Sequence, residues 1–252
     1  MVMTQFHNSN LTFNKSHLFA SLRAMALILQ IETATASCSV ALARDGKTLA
    51  WRELNERNAH ASSVTPFIDQ VMKEAGLPLS ALHAVAVSKG PGSYTGLRIG
   101  VSTAKGLCYA LDIPLIAINT LTAMANSVRE KQPGMFYCPM IDARRMEVYT
   151  AIYDEQLREV SPVEAKIIDA GSFADILTAN KVLFLGDGAA KCEEVLSGQV
   201  NAVFLRGFVN SASHMNVLAL EKFEAGAFED VVYFEPYYLK DFIAGKPGQP
   251  AQ

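Results

Sequence analysis

Apolar and polar positions along this chain fall into a few periods that change in a fixed order. The run Leu27–Ile31 is apolar except at Gln30 and ends in an acid, Glu32, followed by small polar residues. It reads as a buried strand. Cys38–Leu42 alternates into Arg44-Asp45-Gly46-Lys47, and Thr48–Leu54 returns. This predicts two strands around a hairpin, because Asp-Gly suits the positive φ angles of a tight turn. Val64, Phe67, Ile68, Val71, Met72 and Ala75 recur at i, i+3, i+4, i+7, i+8 and i+11, the spacing of an amphipathic helix over 62–76, ended by Gly76 and Pro78. Ala84–Ser88 is a strand that feeds a glycine-rich stretch and a second helix over 95–111. Pro114–Ile118 is a further strand, and a short helix starts at Thr120.

The same order recurs in the second half. Met135–Asp142 again ends in an acid, Glu147–Tyr153 is a second strand and Glu164–Asp169 a candidate third. A helix near 172–179, the strand Lys181–Gly186, the glycine turn Gly186–Ala189, a helix, the strand Ala202–Leu205 and a helix from Ser211 complete it. Superposing the acids Glu32 and Asp142 shifts the chain by 110 residues and brings Cys38–Leu42 within one residue of Glu147–Ala151. The pattern predicts an α/β protein of two subdomains, each with a mixed sheet, facing across a cleft. Their expected limits are 25–130 and 131–240, between a disordered extension, 1–24, and a flexible tail, 241–252. Glu32 and Asp142 would then sit at strand ends beside the cleft, where ligands commonly bind.

The stretch Ser88–Leu111 holds five of the sixteen glycines. A phosphate-binding loop of the GxxxxGK[ST] type is ruled out, because Gly96 is followed by Leu97 and no lysine is in register. The dinucleotide fingerprint GxGxxG fails at Thr95, which stands where its third glycine belongs. What remains is a strand, a Gly-Pro-Gly turn, Ser93 or Thr95 as helix cap, and a helix whose first amides favour an anion. Leu97, Val101, Ala104, Cys108 and Leu111 form an apolar stripe, while Gly96, Gly100, Ser102, Thr103 and Gly106 keep much of the rest small. Interior glycines cost a helix about 1 kcal/mol each relative to alanine, so close packing or phosphate binding must compensate. Both readings stay open on the residues alone.

Composition narrows the classes. A net charge of −3 over 252 residues argues against a free-standing nucleic-acid binder, although basic residues occur near the glycine stretch, at Lys89, Arg98 and Lys105, and separately at Arg144-Arg145. Cys38, Cys108, Cys138 and Cys192 are scattered with no CxxC pair, as in a reduced, cytoplasmic protein. The five histidines form no HxxxH pair, which disfavours a zinc site. The run Ala24–Ile31 resembles a signal core, but Gln30 interrupts it, Glu32 follows it at once and no basic cluster precedes it. No apolar stretch reaches the ~18 residues of a membrane span.

Four segments carry a resemblance: "ILQIETATASCSVAL", "VSKGPGSYTGLRIGVSTAKGLCYALDIPLIAINTLTAMA", "MIDARRMEVYTAIY" and "FEPYYLKD". Together they resemble the TsaB (YeaZ) family, accessory proteins of bacterial tRNA threonylcarbamoyladenosine formation, from about residue 27 to 240. The resemblance implies the actin-like (ASKHA) fold, a duplicated ribonuclease-H-like unit. It also implies a partner of the same fold, TsaD, which transfers the threonylcarbamoyl group to N6 of an adenosine in the tRNA anticodon loop. TsaD-like sequences bind a catalytic metal through an HLEGH-type motif. Here that place reads Thr120-Leu121-Thr122-Ala123-Met124, and neither Thr120 nor Met124 replaces an imidazole ligand. Glu32-Thr33-Ala34 stands where the family usually has Asp-Thr-Ser. The extra methylene moves the carboxylate by ~1.5 Å, and Ala34 removes a hydroxyl.

Two functions compete. In the first, the chain is a non-catalytic subunit without cofactor or metal, cytoplasmic and not membrane-bound, which docks on a TsaD homologue. The docking surface expected is the stripe Leu97, Gly100, Val101, Ala104 and Cys108 with Val64, Phe67, Ile68 and Val71 beside it. The same surface would form a homodimer when TsaD is absent, a TsaE-type ATPase would join the larger assembly, and tRNA would be held through the partners. In the second, the chain is a nucleotide-dependent ATPase or phosphotransferase whose cleft uses Glu32, Gly90, Gly92, Ser93, Asp142, Gly186 and Gly188. A metal-dependent peptidase is a third, poorly supported reading, because no ligand cluster is visible.

Overall fold

The computed structural model describes residues 26–56 and 59–240; the expected extension, 1–24, and tail, 241–252, lie outside them. β1 (Leu27–Glu32) is buried along its whole length because it is the middle strand of a five-stranded sheet, with order β3-β2-β1-β4-β5. β2 (Ser37–Arg44) and β3 (Lys47–Asn55) run antiparallel to their neighbours, and β4 (Ala84–Gly90) and β5 (Leu115–Asn119) run parallel to β1. Asp45 and Gly46 hold φ angles of 51° and 74°, the doubly left-handed turn that Asp-Gly predicts.

Alternate residues of β1 serve two cores. Leu27, Leu29 and Ile31 join Val40, Val87 and the helices α1 (His60–Glu74) and α2 (Tyr94–Leu111) on one face. Ile28 joins Ala41, Ile116 and Met215 on the other. Full burial of such side chains contributes about 1.5–3 kcal/mol each. α1 starts two residues before the expected span of 62–76 and offers the expected Val64, Ile68, Val71 and Met72 to the first core. α2 starts where the Ser93 hydroxyl accepts the Gly96 amide and stops at Asp112, in a left-handed conformation. α3 (Thr120–Arg129) is capped by Asn119, whose side-chain oxygen accepts the amides of Leu121 and Thr122.

The second sheet repeats this plan with order β10-β9-β6-β7-β8. β6 (Phe136–Asp142) takes the place of β1, flanked by antiparallel β7 (Glu147–Tyr153) and parallel β9 (Val182–Leu185). β8 (Glu159–Ile167) begins five residues before the expected third strand, and β10 (Ala202–Leu205) pairs with β9. The helices α4 (Ala174–Ala179), α5 (Asp187–Leu196) and α6 (Asn216–Glu224) fall at equivalent places in the order. Two mixed sheets with one strand order are the actin-like arrangement.

One expected boundary is corrected. The reading 131–240 places the final helix with the second half. Instead the 3-10 turn Ala212–Met215 and α6 cover the first sheet, where Ala212, Met215 and Ala219 pack on Ile28, Ala41 and Ile116. α3 crosses the other way, burying Leu121, Met124 and Val128 against Tyr137, Ile141 and Leu183. Helical periodicity shows which residues share a face, and it does not say which sheet that face meets.

Candidate functional site

The turn after β1 is the hub of the region. Glu32 is 0 % exposed. Its Oε1 accepts the Ala34 amide at 2.6 Å and the Ser88 hydroxyl at 2.8 Å. The nearby Asn210 side chain favours the ionised form, but neither Glu32 Oε2 nor the Asn210 amide has a hydrogen-bond partner among the described residues. Burial outweighs these contacts and lifts the carboxyl to about 7. Ala34 O accepts the Ser93 amide at 2.7 Å, and Thr35 O accepts His60 Nε2 at 2.8 Å. The turn is therefore held by its own acid, by α2 and by α1.

Three glycines make this contact geometrically feasible. A Cβ on Gly92 would stand 2.3 Å from Ala34 O, one on Gly96 2.1 Å from Thr33 O, and one on Gly100 2.2 Å from Thr33 Oγ1. The chain's own Thr33–Ala34 backbone fills the hollow that the glycines open. In the second half, Cβ atoms on Gly186 and Gly188 would strike the backbone of Met140 and Ile141 in the same manner, at 2.2 Å and 2.9 Å. Gly90, at φ 112°, lies against Tyr237 O. Gly106 differs, with nothing within 4 Å of its Cβ position.

Between the halves lies a cleft of about 760 Å³. Of the expected nucleotide residues, Gly92, Ser93 and Asp142 line it, whereas Glu32, Gly90, Gly186 and Gly188 do not. Glu32 is sealed beneath the turn, and the other three are buried against backbone. Asp142 accepts the Arg144 amide at 2.9 Å and pairs with Lys191, while its own amide donates to Asp187 at 3.0 Å. Burial raises the pKa of Asp187, against the amides that lower it. Tyr94, Tyr149, Tyr238, Arg144 and Lys240 also line the cleft, and sequence reasoning missed the tyrosines. The late motif containing Tyr238 was the available signal. A second cavity, about 550 Å³ beside β8 and α4, shares no residue with the cleft.

The expected docking stripe is also relocated. Val64, Ile68, Val71, Val101, Ala104 and Cys108 are all buried in the first core, Leu97 is fully buried beside Gly90, Gly100 is buried against Thr33, and Phe67 is half-buried against the first core. Their partner is the sheet beneath them, so these side chains are not open to another protein. The outer face of α2 instead exposes Arg98, Ser102, Gly106, Tyr109 and Ala110, with Tyr109 84 % exposed. α1 packs alongside α2. Thr120 and Met124, at the positions of the family's metal-binding histidines, are 0 % and 1 % exposed inside the fold. Among the described residues no three His, Cys, Asp or Glu side chains gather closely enough to hold a metal ion. All four cysteines are buried free thiols, and among the described residues no helix is long and apolar enough to cross a membrane.

Comparison with known proteins agrees with this geometry. The family model described as "TsaD: tRNA N6-adenosine threonylcarbamoyltransferase" matches residues 53–242. The tRNA threonylcarbamoyladenosine biosynthesis protein TsaB of Escherichia coli is 32 % identical over 233 residues, covering 88 % of this chain and 99 % of that one. TsaB of Bacillus subtilis is 31 % identical over 197 residues, covering 75 % and 82 %. The solved structure of YeaZ from Pseudomonas aeruginosa superposes with a TM-score of 0.76 at 28 % identity, over 85 % of this chain and all of that one. A duplicated actin-like fold that resembles the transferase's own family model, and matches TsaB over nearly the full length of that protein, places this chain in the TsaB family of tRNA threonylcarbamoyladenosine biosynthesis proteins.

Proposed function

We propose that this chain is a non-catalytic, cytoplasmic subunit that docks on a TsaD homologue and supports threonylcarbamoyl transfer to N6 of an adenosine in the tRNA anticodon loop. One observation carries the reading. The acid and the glycines that an actin-like ATPase would turn toward phosphates are engaged here in internal packing: Glu32 is sealed, and Gly92, Gly96 and Gly100 close onto Thr33–Ala34. The docking surface is the outer face of α2 with α1 beside it. There Ser102, Gly106 and Ala110 leave a low strip bordered by Tyr109, and small side chains let a second helix approach closely. Such a strip is self-complementary about a two-fold axis, which supports a homodimer when the partner is absent. A TsaE-type ATPase completes the larger assembly, and tRNA is gripped mainly by the partners.

The alternative is nucleotide turnover in the cleft, favoured by the presence of Gly92, Ser93 and Asp142 on its wall. Phosphate release by the purified chain with ATP and magnesium separates the two. The accessory reading expects no more release than from a boiled control. Sustained turnover that Asp142→Ala abolishes would overturn it in favour of the ATPase.

A further inference from the structure

The loop between β6 and β7 contains a strained and charged feature that internal packing does not explain. Arg144 and Arg145 are consecutive, exposed and left-handed, with φ angles of 73° and 49°. Such conformations cost non-glycine residues free energy and persist only where the surroundings over-determine them. Here Asp142 accepts the Arg144 amide at 2.9 Å, Arg144 O accepts the Glu147 amide at 3.1 Å, and Glu147 O accepts the Ala143 amide at 3.0 Å. The loop is pinned at three points while both guanidinium groups are left without an ion pair among the described residues.

Across the cleft mouth stand aromatic rings. Tyr94 and Tyr238 lie 4.7 Å apart between centroids, and the Arg98 guanidinium sits 5.4 Å over the Tyr94 ring. Tyr94, Tyr238 and Arg144 line the same cleft. The acids nearby only partly offset this charge: Asp142 pairs with Lys191 and Glu147 with Lys240, while Asp187 on the cleft wall and Glu235 beside Tyr238 stand against Arg98, Arg144 and Arg145. Basic groups interleaved with stacking rings are the pattern that holds single-stranded nucleic acid, with rings taking unpaired bases and cations taking phosphates.

We propose that the cleft mouth, with Arg144, Arg145, Arg98, Tyr94 and Tyr238, is a contact site of this chain for an unpaired RNA loop. The proposal rests on the reading that the chain serves tRNA modification, and it goes beyond that reading by giving the accessory subunit its own RNA contact. Free nucleotide is disfavoured because the glycine hollow beside the site is filled by Thr33–Ala34. Duplex RNA is disfavoured because its bases offer no free face to the tyrosines.

The test measures anisotropy of a fluorescent RNA hairpin with an unpaired loop, titrated with the full chain at low and moderate salt. A fully paired duplex of equal length is the control. Hairpin binding with a dissociation constant on the order of 10 µM at low salt is expected, weakening as salt rises because phosphate contacts release counterions. Arg144→Asn/Arg145→Asn is the charge variant, since asparagine tolerates the left-handed region. It should weaken binding about tenfold and flatten the salt dependence. Tyr238→Ala should weaken binding about tenfold with the salt dependence unchanged, because stacking carries no charge. Equal affinity for hairpin and duplex, absence of binding, or variants within about twofold of the parent with unchanged circular dichroism would each overturn the proposal. Gel filtration with the TsaD homologue is run alongside. RNA binding without any complex would refute the docking reading and leave this site standing, whereas a complex without RNA binding would refute this site alone.

Discussion

A methyl group added at Gly96 would fall 2.1 Å from the Thr33 carbonyl oxygen. Backbone on both sides of that contact cannot step aside as a flexible side chain would. Gly96→Ala is therefore expected to destabilise the fold by about 2–3 kcal/mol, in the range for overpacking, read as a lower urea midpoint at unchanged slope. Glu32 gives a second residue-scale prediction, with its sign fixed by linkage. Its carboxyl titrates near 7 in the fold, against an ordinary value of 4.5, so the folded state binds more protons between those values and stability falls as pH rises through that window. His214 opposes this: burial lowers its pKa to about 4, so its contribution rises with pH between about 4 and its usual value near 6.5. The parent curve therefore hides both effects, and the Glu32→Gln variant separates them. From pH 4.5 to 7 the parent should lose roughly 3 kcal/mol relative to Glu32→Gln. A constant difference across that range would contradict the burial argument.

At the scale of elements, α2 shows what the sequence could and could not disclose. Its length and its apolar stripe were legible, because side-chain spacing fixes which residues share a face, and of the two candidate caps, Ser93 and Thr95, the structure uses Ser93. What covers that face was not legible. The stripe was expected to meet a partner protein, and it meets the first sheet, since Leu97, Val101 and Ala104 are within the core. The glycines divide by the same criterion. Gly100 lies against Thr33, whereas Gly106 meets nothing, a difference created by a turn more than sixty residues away in the chain. Gly106→Ala should accordingly stabilise α2 by about 0.5–1 kcal/mol, opposite in sign to Gly96→Ala in the same helix, as thermal denaturation would report. The repeated order of strands and helices, with a mixed sheet in each half, was legible from the pattern ending in Glu32 and Asp142, whereas the order of strands within each sheet is a finding of the structure. The matching acids misled in one respect: Asp142 reaches the cleft, while Glu32 is folded beneath its own turn.

For the molecule as a whole, the two halves are tied by segments that cross between them. After α6 the chain runs back along the first half, where Glu229 donates to Leu115 O, Lys105 reaches Phe234 O and Tyr237 donates to Lys89 O, before Lys240 pairs with Glu147 of the second. Only Lys240 among these ties lines the cleft, and the 232–234 segment engages α2 at Lys105 while Ser102, Gly106, Tyr109 and Ala110 stay exposed, which is where the account puts the TsaD homologue. Gel filtration of the two proteins mixed, parent against Gly106→Arg, tests that claim most directly. A side chain at Gly106 has space within the chain itself, so the variant should keep the parent's circular dichroism and melting temperature or exceed it. The account predicts a 1:1 complex for the parent and at least tenfold weaker association for the variant. A folded Gly106→Arg protein that associates as tightly as the parent would contradict it.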